Sequence, residues 1–374
     1  MSFLTLFFER SYKNILKPIL FRFDPELVHN HFIKIGSKLG EHRLTRLLTQ
    51  LAFDFESPIL EQIVAGMKFR NPIGLSAGFD KDANLVEIIP KVGFGYMEVG
   101  TVTLEPYRGN PTPRLMRLPN SKALIVNFGL KNIGVRRIIQ KLSRKLRRDF
   151  KFAISVGKTN SPDTNSLQSG IRDYFGCLNE LVSANVGDFY VINISCPNTF
   201  GGEPFTTKIR LEKLLAKLVK VKTEKPIFIK MPINLVWKDF DLLLKIIIKY
   251  RLAGVIIGNL NKDRSRPEIK DFIPENQKGG ISGLPTQKLS DELIGKTYQK
   301  YCKKLAIIGV GGVFSPADAY RKIRLGASLV SLITGVIYEG PQLIGKINSE
   351  LVEMLQKDGF GSISEAIGAE HRSI

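Results

Sequence analysis

The sequence of residues 189–198 reads Phe-Tyr-Val-Ile-Asn-Ile-Ser-Cys-Pro-Asn. Its apolar start is typical of a buried strand, and the residues that follow place two amide side chains around one thiol. Similar short apolar runs recur along the chain, and amphipathic stretches separate most of them. The predicted strands are residues 73–77, 96–101, 152–156, 189–194, 227–231, 254–257, 306–309 and 329–333. This alternation predicts an α/β protein whose residues 51–374 form a (β/α)8 TIM barrel.

The first fifty residues have a different pattern. Apolar residues recur there at helical spacing with basic residues among them, and Asp24-Pro25-Glu26 begins a second predicted helix. Residues 1–50 are therefore predicted to form an amphipathic helical extension. Its apolar face could lie in a membrane interface or pack on the barrel, and the pattern favours neither. No signal peptide is expected, and no apolar run reaches the ~18 residues of a spanning helix.

The chain is strongly basic. Its 55 Lys and Arg residues exceed its 35 Asp and Glu residues, which gives a net charge of +20 over 374 residues. This excess would suit nucleic acid, an acidic membrane or a phosphorylated ligand, or it reflects general use of lysine. The densest basic run, residues 136–148, lacks interleaved aromatic residues, so we interpret it as a solvated helix face and expect no nucleic-acid partner.

Glycines near the end of the barrel indicate a phosphate site. Gly311-Gly312 follows the seventh predicted strand, and Thr334-Gly335 follows the eighth. Backbone N–H groups at such turns can approach an anion closely, although each could also be a plain tight turn. Because no G-x-G-x-x-G motif follows an early strand, a dinucleotide site is not expected. Flavin mononucleotide (FMN), with one phosphate, is the predicted cofactor.

Two lysines are expected at strand ends. Lys230 ends a hydrophobic strand, where an ammonium group requires an anionic partner. A reduced flavin would be one such partner, and a structural carboxylate would be another. Lys81 could bind a substrate carboxylate, or Asp80 and Asp82 could satisfy it in a structural role.

Three cysteines, Cys177, Cys196 and Cys302, are too few and too scattered for a disulfide framework or a zinc site, so we expect no metal and a reducing compartment. Cys177 and Cys302 lie in predicted helices and are interpreted as packing residues. Cys196 follows a strand end between Asn193 and Asn198. It could be an inert buried thiol or a base, since a thiol titrates near the neutral range.

Several motifs together resemble those of dihydroorotate dehydrogenases, and the resemblance covers nearly the whole chain. The motifs are Ser76-Ala-Gly-Phe-Asp-Lys81, Gly100-Thr-Val-Thr103, Pro113-Arg-Leu-Met-Arg-Leu118, Asn193-Ile-Ser-Cys-Pro-Asn-Thr199, Ile308-Gly-Val-Gly-Gly312 and Gly326-Ala-Ser-Leu-Val330. The N-terminal helices, the segment Asp24 to His29 and the closing residues 366–371 resemble the membrane-associated, quinone-using class.

The resemblance implies roles for individual residues. Cys196 would remove the C5 proton of dihydroorotate while C6 gives hydride to the flavin. His29 and Arg117 would line a quinone tunnel. The substrate-binding candidates are Lys81, Asn127, Asn193, Asn198 and Asn259. The cofactor-binding candidates are Ala77, Gly78, Thr101, Ser155, Lys230, Gly258, Gly283, Gly311, Gly312, Thr334 and Gly335.

The chain departs from the family pattern at four places. The quinone-using class usually has Ser as its base, whereas Cys196 is typical of the soluble class. The segment Val126-Asn127 displaces or loses one substrate amide, and Ser155 stands where the family has Asn. Leu260 removes a hydroxyl that would bind substrate, and such a loss typically costs ~1–3 kcal/mol.

Three functions remain open at this level. The first is FMN-dependent oxidation of dihydroorotate to orotate in pyrimidine biosynthesis, with electrons passed to a membrane quinone by a protein held peripherally on the cytoplasmic face of the cell membrane. The second is the same fold and cofactor acting on another dihydropyrimidine or cyclic amide, which Val126 and Leu260 favour. The third is a catalytically idle flavin- or membrane-binding protein.

Overall fold

The protein is described by a computed structural model over residues 3–143, 150–202 and 204–372. Thirteen strands are present in these residues. They are β1 Gln62–Val64, β2 Met67–Phe69, β3 Ile73–Leu75, β4 Tyr96–Val102, β5 Leu115–Leu118, β6 Ala123–Val126, β7 Lys151–Val156, β8 Phe189–Asn193, β9 Ile227–Met231, β10 Gly254–Ile257, β11 Gly280–Gly283, β12 Ala306–Val310 and β13 Leu329–Leu332.

The helices of the same residues fall into two groups. The N-terminal group is α1 Phe3–Ser11, α2 Lys17–Leu20, α3 Pro25–Glu41 and α4 Arg43–Phe53, with a π-helical segment, Tyr12–Leu16, between the first two. The barrel group is α5 Val135–Leu142, α6 Leu167–Ser183, α7 Lys208–Leu218, α8 Trp237–Lys249, α9 Gln287–Tyr301, α10 Pro316–Arg324, α11 Thr334–Glu339, α12 Leu343–Lys357 and α13 Ile363–Ala366.

Eight parallel strands form a closed barrel in the order β3-β4-β7-β8-β9-β10-β12-β13. Closure comes from the pairing of β13 with β3, in which Val330 faces Ile73 and Leu332 faces Leu75. The predicted TIM barrel is therefore confirmed, and each predicted strand corresponds to one barrel strand with ends that differ by up to two residues.

Side chains of the barrel strands alternate between two cores. Phe189 and Val191 of β8 belong to the cluster inside the barrel, whereas Tyr190 and Ile192 belong to the larger core between strands and helices. Because side chains alternate with a period of two residues, Asn193, the last residue of β8, also points toward the barrel interior. The same period in β9 turns Lys230 inward after Phe228.

The hairpin β1–β2 closes the N-terminal end of the barrel. Its Phe69 ring lies 5.5 Å from the Tyr96 ring and 6.3 Å from the Phe189 ring, at the first residues of β4 and β8. The opposite end is therefore the open one, where the C-terminal ends of the strands meet.

A second sheet was not predicted. Strands β5, β6 and β11 form an antiparallel sheet in the order β11-β6-β5, and Ile125 pairs with both Met116 and Ile281. These strands are only four residues long, and β11 begins at the last residue of the polar stretch 261–280. No helix or strand is assigned between Ile257 and Gly280, and all residues of that stretch are described.

The N-terminal helices both pack on the barrel and expose apolar residues. Phe8 of α1 packs on Phe53 of α4 at 5.0 Å, within the N-terminal group. The Tyr12 hydroxyl joins this group to barrel helix α11 by donating to the Ile337 carbonyl at 2.7 Å. Yet Leu44 and Leu51 of α4 are 66% and 70% exposed. Part of the apolar face thus packs within the protein, and a membrane-interface location for the exposed residues stays a prediction. Across the described ranges, no helix has the length and apolar character to span a membrane.

Other sequence-based interpretations have mixed outcomes. Cys177 is buried in α6 as predicted, but Cys302 is exposed just beyond α9, so its interpretation as a packing residue is wrong. In the basic run, residues 136–142 belong to α5, and residues 144–148 lie outside the described residues. The predicted division of the chain at residue 50 stays a prediction.

An ion pair joins α3 to the second sheet. Arg114 donates from Nε to Glu26 Oε2 at 3.0 Å and from Nη2 to Glu26 Oε1 at 2.6 Å, and the two side chains are 13% and 10% exposed. The bidentate geometry fixes the start of α3 next to β5.

Replacing Arg114 by Ala leaves the Glu26 carboxylate nearly buried without this partner. We expect the free energy of local unfolding of α3 to fall by about 2–3 kcal/mol, somewhat less than the loss on breaking a fully buried ion pair. Hydrogen exchange of the α3 amides, read by mass spectrometry, would measure it. The exposed pair Lys68–Glu61 is the control, and Lys68→Ala should change local exchange by less than about 1 kcal/mol. Equal effects of the two variants would contradict this role of Arg114.

Candidate active site

A cavity with about 920 Å³ of empty space lies between the C-terminal ends of the barrel strands and the second sheet. Part of this space is open to solvent. The barrel supplies Thr101, Asn193 and Lys230, and the second sheet supplies Leu115, Leu124 and Val126. The predicted site residues that line it are His29, Ala77, Gly78, Lys81, Thr101, Asn193, Cys196, Asn198, Lys230, Asn259 and Thr334.

Lys230 lies at the floor of this cavity and is only 4% exposed. Its Nζ donates to Ser76 Oγ at 3.0 Å and lies 3.6 Å from Glu98 Oε2. Lys230 thus has a carboxylate partner and also faces the cavity, so the two alternatives considered for it are compatible.

A buried polar network surrounds Lys230. Asn193 Nδ2 donates to Thr101 Oγ1 at 2.9 Å, and Thr101 and Ser155 share a hydroxyl–hydroxyl hydrogen bond of 2.9 Å. Asn259 Nδ2 donates to Ser195 Oγ at 2.6 Å, and the Ser195 hydroxyl donates to the Lys230 carbonyl at 2.9 Å. The C-terminal ends of β4, β7, β8, β9 and β10 are therefore connected, which orients the amides before any ligand binds. Ser155 supports the network from behind the cavity wall.

Cys196 is half-buried in the loop after β8 and lines the cavity. The buried Lys158 lies against this loop, because its Nζ donates to the Phe200 carbonyl at 3.2 Å and to Thr164 Oγ1 at 3.1 Å. Burial lowers the pKa of Lys158, and the charges of Asp173 and Cys196 oppose this shift. This interaction places a positive charge near the Cys196 thiol.

The asparagines at the cavity rim differ in orientation. Asn198 Nδ2 donates to the Val126 carbonyl at 2.7 Å, and Asn198 lines the cavity. Asn127 Oδ1 instead accepts from Asn110 Nδ2 at 3.0 Å, and Asn127 is not part of the wall. Val126 and Phe128 occupy the wall on either side of Asn127, so this stretch of the wall is apolar. Substrate binding by Asn127 stays a prediction.

Lys81 and His29 meet at the entrance near α3. Lys81 Nζ lies 3.4 Å from His29 Nε2 and 4.0 Å from the centre of the Phe128 ring. Burial lowers the pKa of Lys81 to about 8, and Lys131 acts in the same direction. Burial also lowers the pKa of His29 to about 3, so its imidazole is neutral and can accept from the Lys81 ammonium.

The carboxylates beside Lys81 in sequence have other partners. Asp80 accepts from the backbone N–H groups of Asn84 and Leu85, and Asp82 Oδ1 accepts from the Ile133 N–H. Among the described residues, neither carboxylate forms an ion pair with Lys81 within 4.0 Å. The Lys81 charge therefore faces the cavity without a direct counter-ion.

Some of the predicted phosphate-binding residues line the cavity, and others lie outside its wall. Thr334 lines the cavity, and its Oγ1 shares a 2.9 Å hydrogen bond with Ser282 Oγ. Gly312 has a φ of 68°, and a Cβ there would lie 2.3 Å from the Gln287 Cβ, so only glycine fits. Five predicted cofactor glycines lie behind the wall, and their role stays a prediction; they are Gly258, Gly283, Gly311, Gly312 and Gly335.

Arg117 lies beside the N-terminal helices and outside the cavity wall. Its Nη1 donates to the Phe23 carbonyl at 2.8 Å, and its guanidinium lies 4.6 Å from the centre of the Phe21 ring. Of the predicted quinone pair, only His29 reaches the cavity.

Sequence reasoning did not identify Ser76, Glu98, Ser195 or Asn110. Glu98 alone had a visible signal, since it is an acidic residue in the middle of an apolar run, residues 96–101. The importance of the other residues depends on contacts with distant segments.

Comparisons with known proteins agree with this geometry. The model of the dihydroorotate dehydrogenase family matches residues 59–355. A dihydroorotate dehydrogenase (quinone) of Trichodesmium erythraeum is 33% identical over 96% of this chain and 99% of its own length. That of Acaryochloris marina is 35% identical over 96% of this chain and 99% of its own.

A solved structure is similar throughout. The crystal structure of the Eimeria tenella DHODH in complex with ferulenol is 27% identical and covers 94% of this chain and 96% of that one, with a TM-score of 0.83. With the barrel, the cavity and these relatives in agreement, the chain belongs to the dihydroorotate dehydrogenase family, a family of flavin-dependent oxidoreductases.

Proposed function

We propose that this protein oxidises dihydroorotate to orotate with FMN as its cofactor and passes the electrons to a membrane quinone, in pyrimidine biosynthesis. The observation that carries the proposal is that Cys196, Lys230 and Asn193 line one cavity in a chain of this family. Relatives of nearly the same length are named dihydroorotate dehydrogenase (quinone), which supports the choice of substrate and acceptor.

The residues present fit a flavin. A nearly buried ammonium, Lys230, faces the cavity, and hydroxyl and amide groups of Thr101 and Asn193 lie beside it. Such groups suit the pyrimidine edge of the ring, where negative charge develops. Thr334 and the glycines near it would hold the phosphate. When bound, the flavin supplies the hydride acceptor.

The remaining polar side chains would bind and deprotonate the substrate. Asn193, Asn198 and Asn259 offer donors and acceptors to the edges of a cyclic imide. The Lys81 ammonium, with no described counter-ion, would bind the carboxylate. The Cys196 thiolate would take the proton from C5 while the hydride leaves C6. The hydrogen-bonded asparagines reduce the reorganisation needed on binding.

A second candidate is the same chemistry on another dihydropyrimidine or cyclic amide. Val126 and Leu260 line the cavity and offer no polar group to a substrate. Anaerobic addition of dihydroorotate to flavin-loaded protein should bleach the flavin absorbance if the first proposal is correct. Faster bleaching by uncharged 5,6-dihydrouracil would favour the second candidate, and no bleaching by either would contradict both.

Cys196→Ala should slow bleaching by dihydroorotate by a factor of about 10² or more, because the base is lost. Bound flavin should stay at the wild-type level, as measured by absorbance after gel filtration. Cys196→Ser is the matched variant and should retain more activity than Ala, with its optimum at higher pH. Loss of flavin from Cys196→Ala would assign a structural role to this residue instead.

Orotate binding should weaken as the pH rises through the pKa of Lys81, about 8. Lys81 is charged below this pH and neutral above it, so affinity should fall about tenfold between about pH 7 and pH 9. Titration of the flavin spectrum with orotate would measure this. Lys81→Gln should bind weakly at both pH values, and Lys81→Arg should bind without this decrease. A decrease that persists in Lys81→Arg would exclude Lys81 as its source.

The N-terminal helices would hold the protein peripherally on the cytoplasmic face of the cell membrane. Fourteen of the twenty exposed large hydrophobic residues in the described chain lie between residues 6 and 51. On α4, Leu44, Leu47, Leu48 and Leu51 form one exposed stripe at helical spacing. Helix α3 then leads from this surface to His29 at the cavity, which suggests a path for the quinone.

Leu44→Glu combined with Leu48→Glu should reduce sedimentation with vesicles of phosphatidylglycerol and phosphatidylcholine by about tenfold or more, since burying two charges in the interface is unfavourable. Flavin bleaching by dihydroorotate should be unchanged. Val236→Glu, at an equally exposed apolar residue distant in sequence from these helices, is the control and should sediment like wild type. Unchanged sedimentation of the double variant would contradict membrane binding through α4.

A further inference from the structure

A chain of buried polar side chains crosses the barrel interior below the cavity. The Tyr96 hydroxyl lies 2.7 Å from Ser331 Oγ, Ser331 Oγ donates to Glu98 Oε1 at 3.3 Å, and Glu98 Oε2 lies 3.6 Å from Lys230 Nζ. Lys230 then donates to Ser76 Oγ at 3.0 Å. The strands β4, β13, β9 and β3 thus contribute to one connected path that ends at the cavity floor.

Glu98 is the unusual member of this chain. It is fully buried, and its Oε2 has no hydrogen-bond donor in the described structure. A buried carboxylate is stable as an anion only beside a positive charge, and Lys230 is the cation within 4.0 Å. Burial and the Glu98 charge keep the pKa of Tyr96 well above its ordinary value, so Tyr96 remains a neutral donor to Ser331.

Two features of this arrangement concern the cavity. Ser331 holds one oxygen of Glu98, which leaves the other directed at Lys230. The ammonium of Lys230 is shared between Glu98 on one side and the cavity on the other, so part of its charge is compensated from below. Removing Glu98 would leave the full charge of Lys230 acting on a cavity ligand.

We propose that Glu98 is a positioning residue that acts through Lys230: it fixes the ammonium at the cavity floor, limits its effective charge and thereby sets the reduction potential of the bound flavin. This inference rests on the proposed function, because it requires a flavin beside Lys230. It assigns to Glu98 a role in tuning the cofactor rather than a contact with it.

The direction of the effect follows from charge. Reduction adds negative charge to the cofactor, and the Glu98 carboxylate disfavours that change by compensating Lys230. Glu98→Gln keeps the shape of the side chain and removes its charge, so the reduced flavin should become more favourable. We expect the ratio of reduced to oxidised flavin at a given potential to rise about tenfold, which is about 30 mV for a two-electron couple.

The experiment is a redox titration of the flavin-loaded full chain against a reference dye, in a double-mutant cycle. Lys230→Gln should lower the potential. Adding Glu98→Gln to that variant should then change the ratio less than about twofold, because Glu98 acts on the cofactor through the Lys230 charge, which this variant lacks. A potential unaltered by Glu98→Gln, or one shifted equally in both backgrounds, would overturn the proposal.

Two further variants keep the result interpretable. If Glu98→Gln does not retain flavin, Glu98→Asp takes its place. The shorter side chain withdraws the carboxylate from Lys230, so the flavin potential should rise by a smaller amount. An unaltered potential in this variant would overturn the proposal. Asp241→Asn is the control for loss of a buried carboxylate. Asp241 is 7% exposed on α8 and accepts from the Tyr301 hydroxyl at 2.7 Å. Its substitution should lower the melting temperature without moving the potential.

The melting temperature of the flavin-free protein gives an independent readout. Glu98→Gln should lower it because Lys230 becomes an uncompensated buried cation, and Lys230→Gln in the same chain should restore part of the loss. No restoration would contradict the pairing. A wild-type protein that binds no flavin would instead contradict the proposed function, and this melting cycle would still test the Glu98–Lys230 pair.

Discussion

Closure of the barrel between its last and first strands is the constraint on which the site depends. The pairing of β13 with β3 brings Ser331 next to Gly74, and the Tyr96 ring covers this seam. A Cβ at Gly74 would lie 2.2 Å from the Tyr96 Cζ, so the ring requires glycine there, and the Tyr96 hydroxyl reaches Ser331 across the seam. Because the strands are parallel, closure also places their functional ends around one opening.

The second sheet converts that opening into a cavity. Strands β5, β6 and β11 cover the barrel mouth, and Leu115, Leu124 and Val126 give the cavity an apolar wall on this side. Arg114, immediately before β5, bonds to Glu26, and Arg117 of β5 bonds to the Phe23 carbonyl. The chemistry of the barrel and the apolar surface of the helices are thus joined through one small element.

Charge in and around the cavity is arranged by burial. Lys81 and Lys158 both have pKa values lowered by burial, and Lys230 is compensated by Glu98 from below. His29 is neutral, so it adds no further positive charge. Such a site favours anionic ligands while avoiding the full cost of several isolated cations. The overall charge of +20 is distributed far more widely and explains none of this local order.

Much of the fold could be predicted from local pattern. The apolar runs identified all eight barrel strands. The two-residue alternation in the run Phe189-Tyr190-Val191-Ile192 also predicts that Asn193 points inward, and the neighbouring strand predicts the same for Lys230. Residues such as Cys196 and Asn259 follow strand ends, so their place at the cavity rim was available from sequence as well.

The amino-acid sequence by itself determined the barrel, the helical extension and the strand ends that carry polar side chains, because burial on both faces of a strand is recorded in consecutive residues. Only the tertiary structure decided that residues 123–126 pair with residues 280–283 and that Asn127 turns toward Asn110. It also decided that Glu98 meets Lys230. These contacts join segments far apart in the chain, and side-chain direction there depends on packing that no local periodicity encodes.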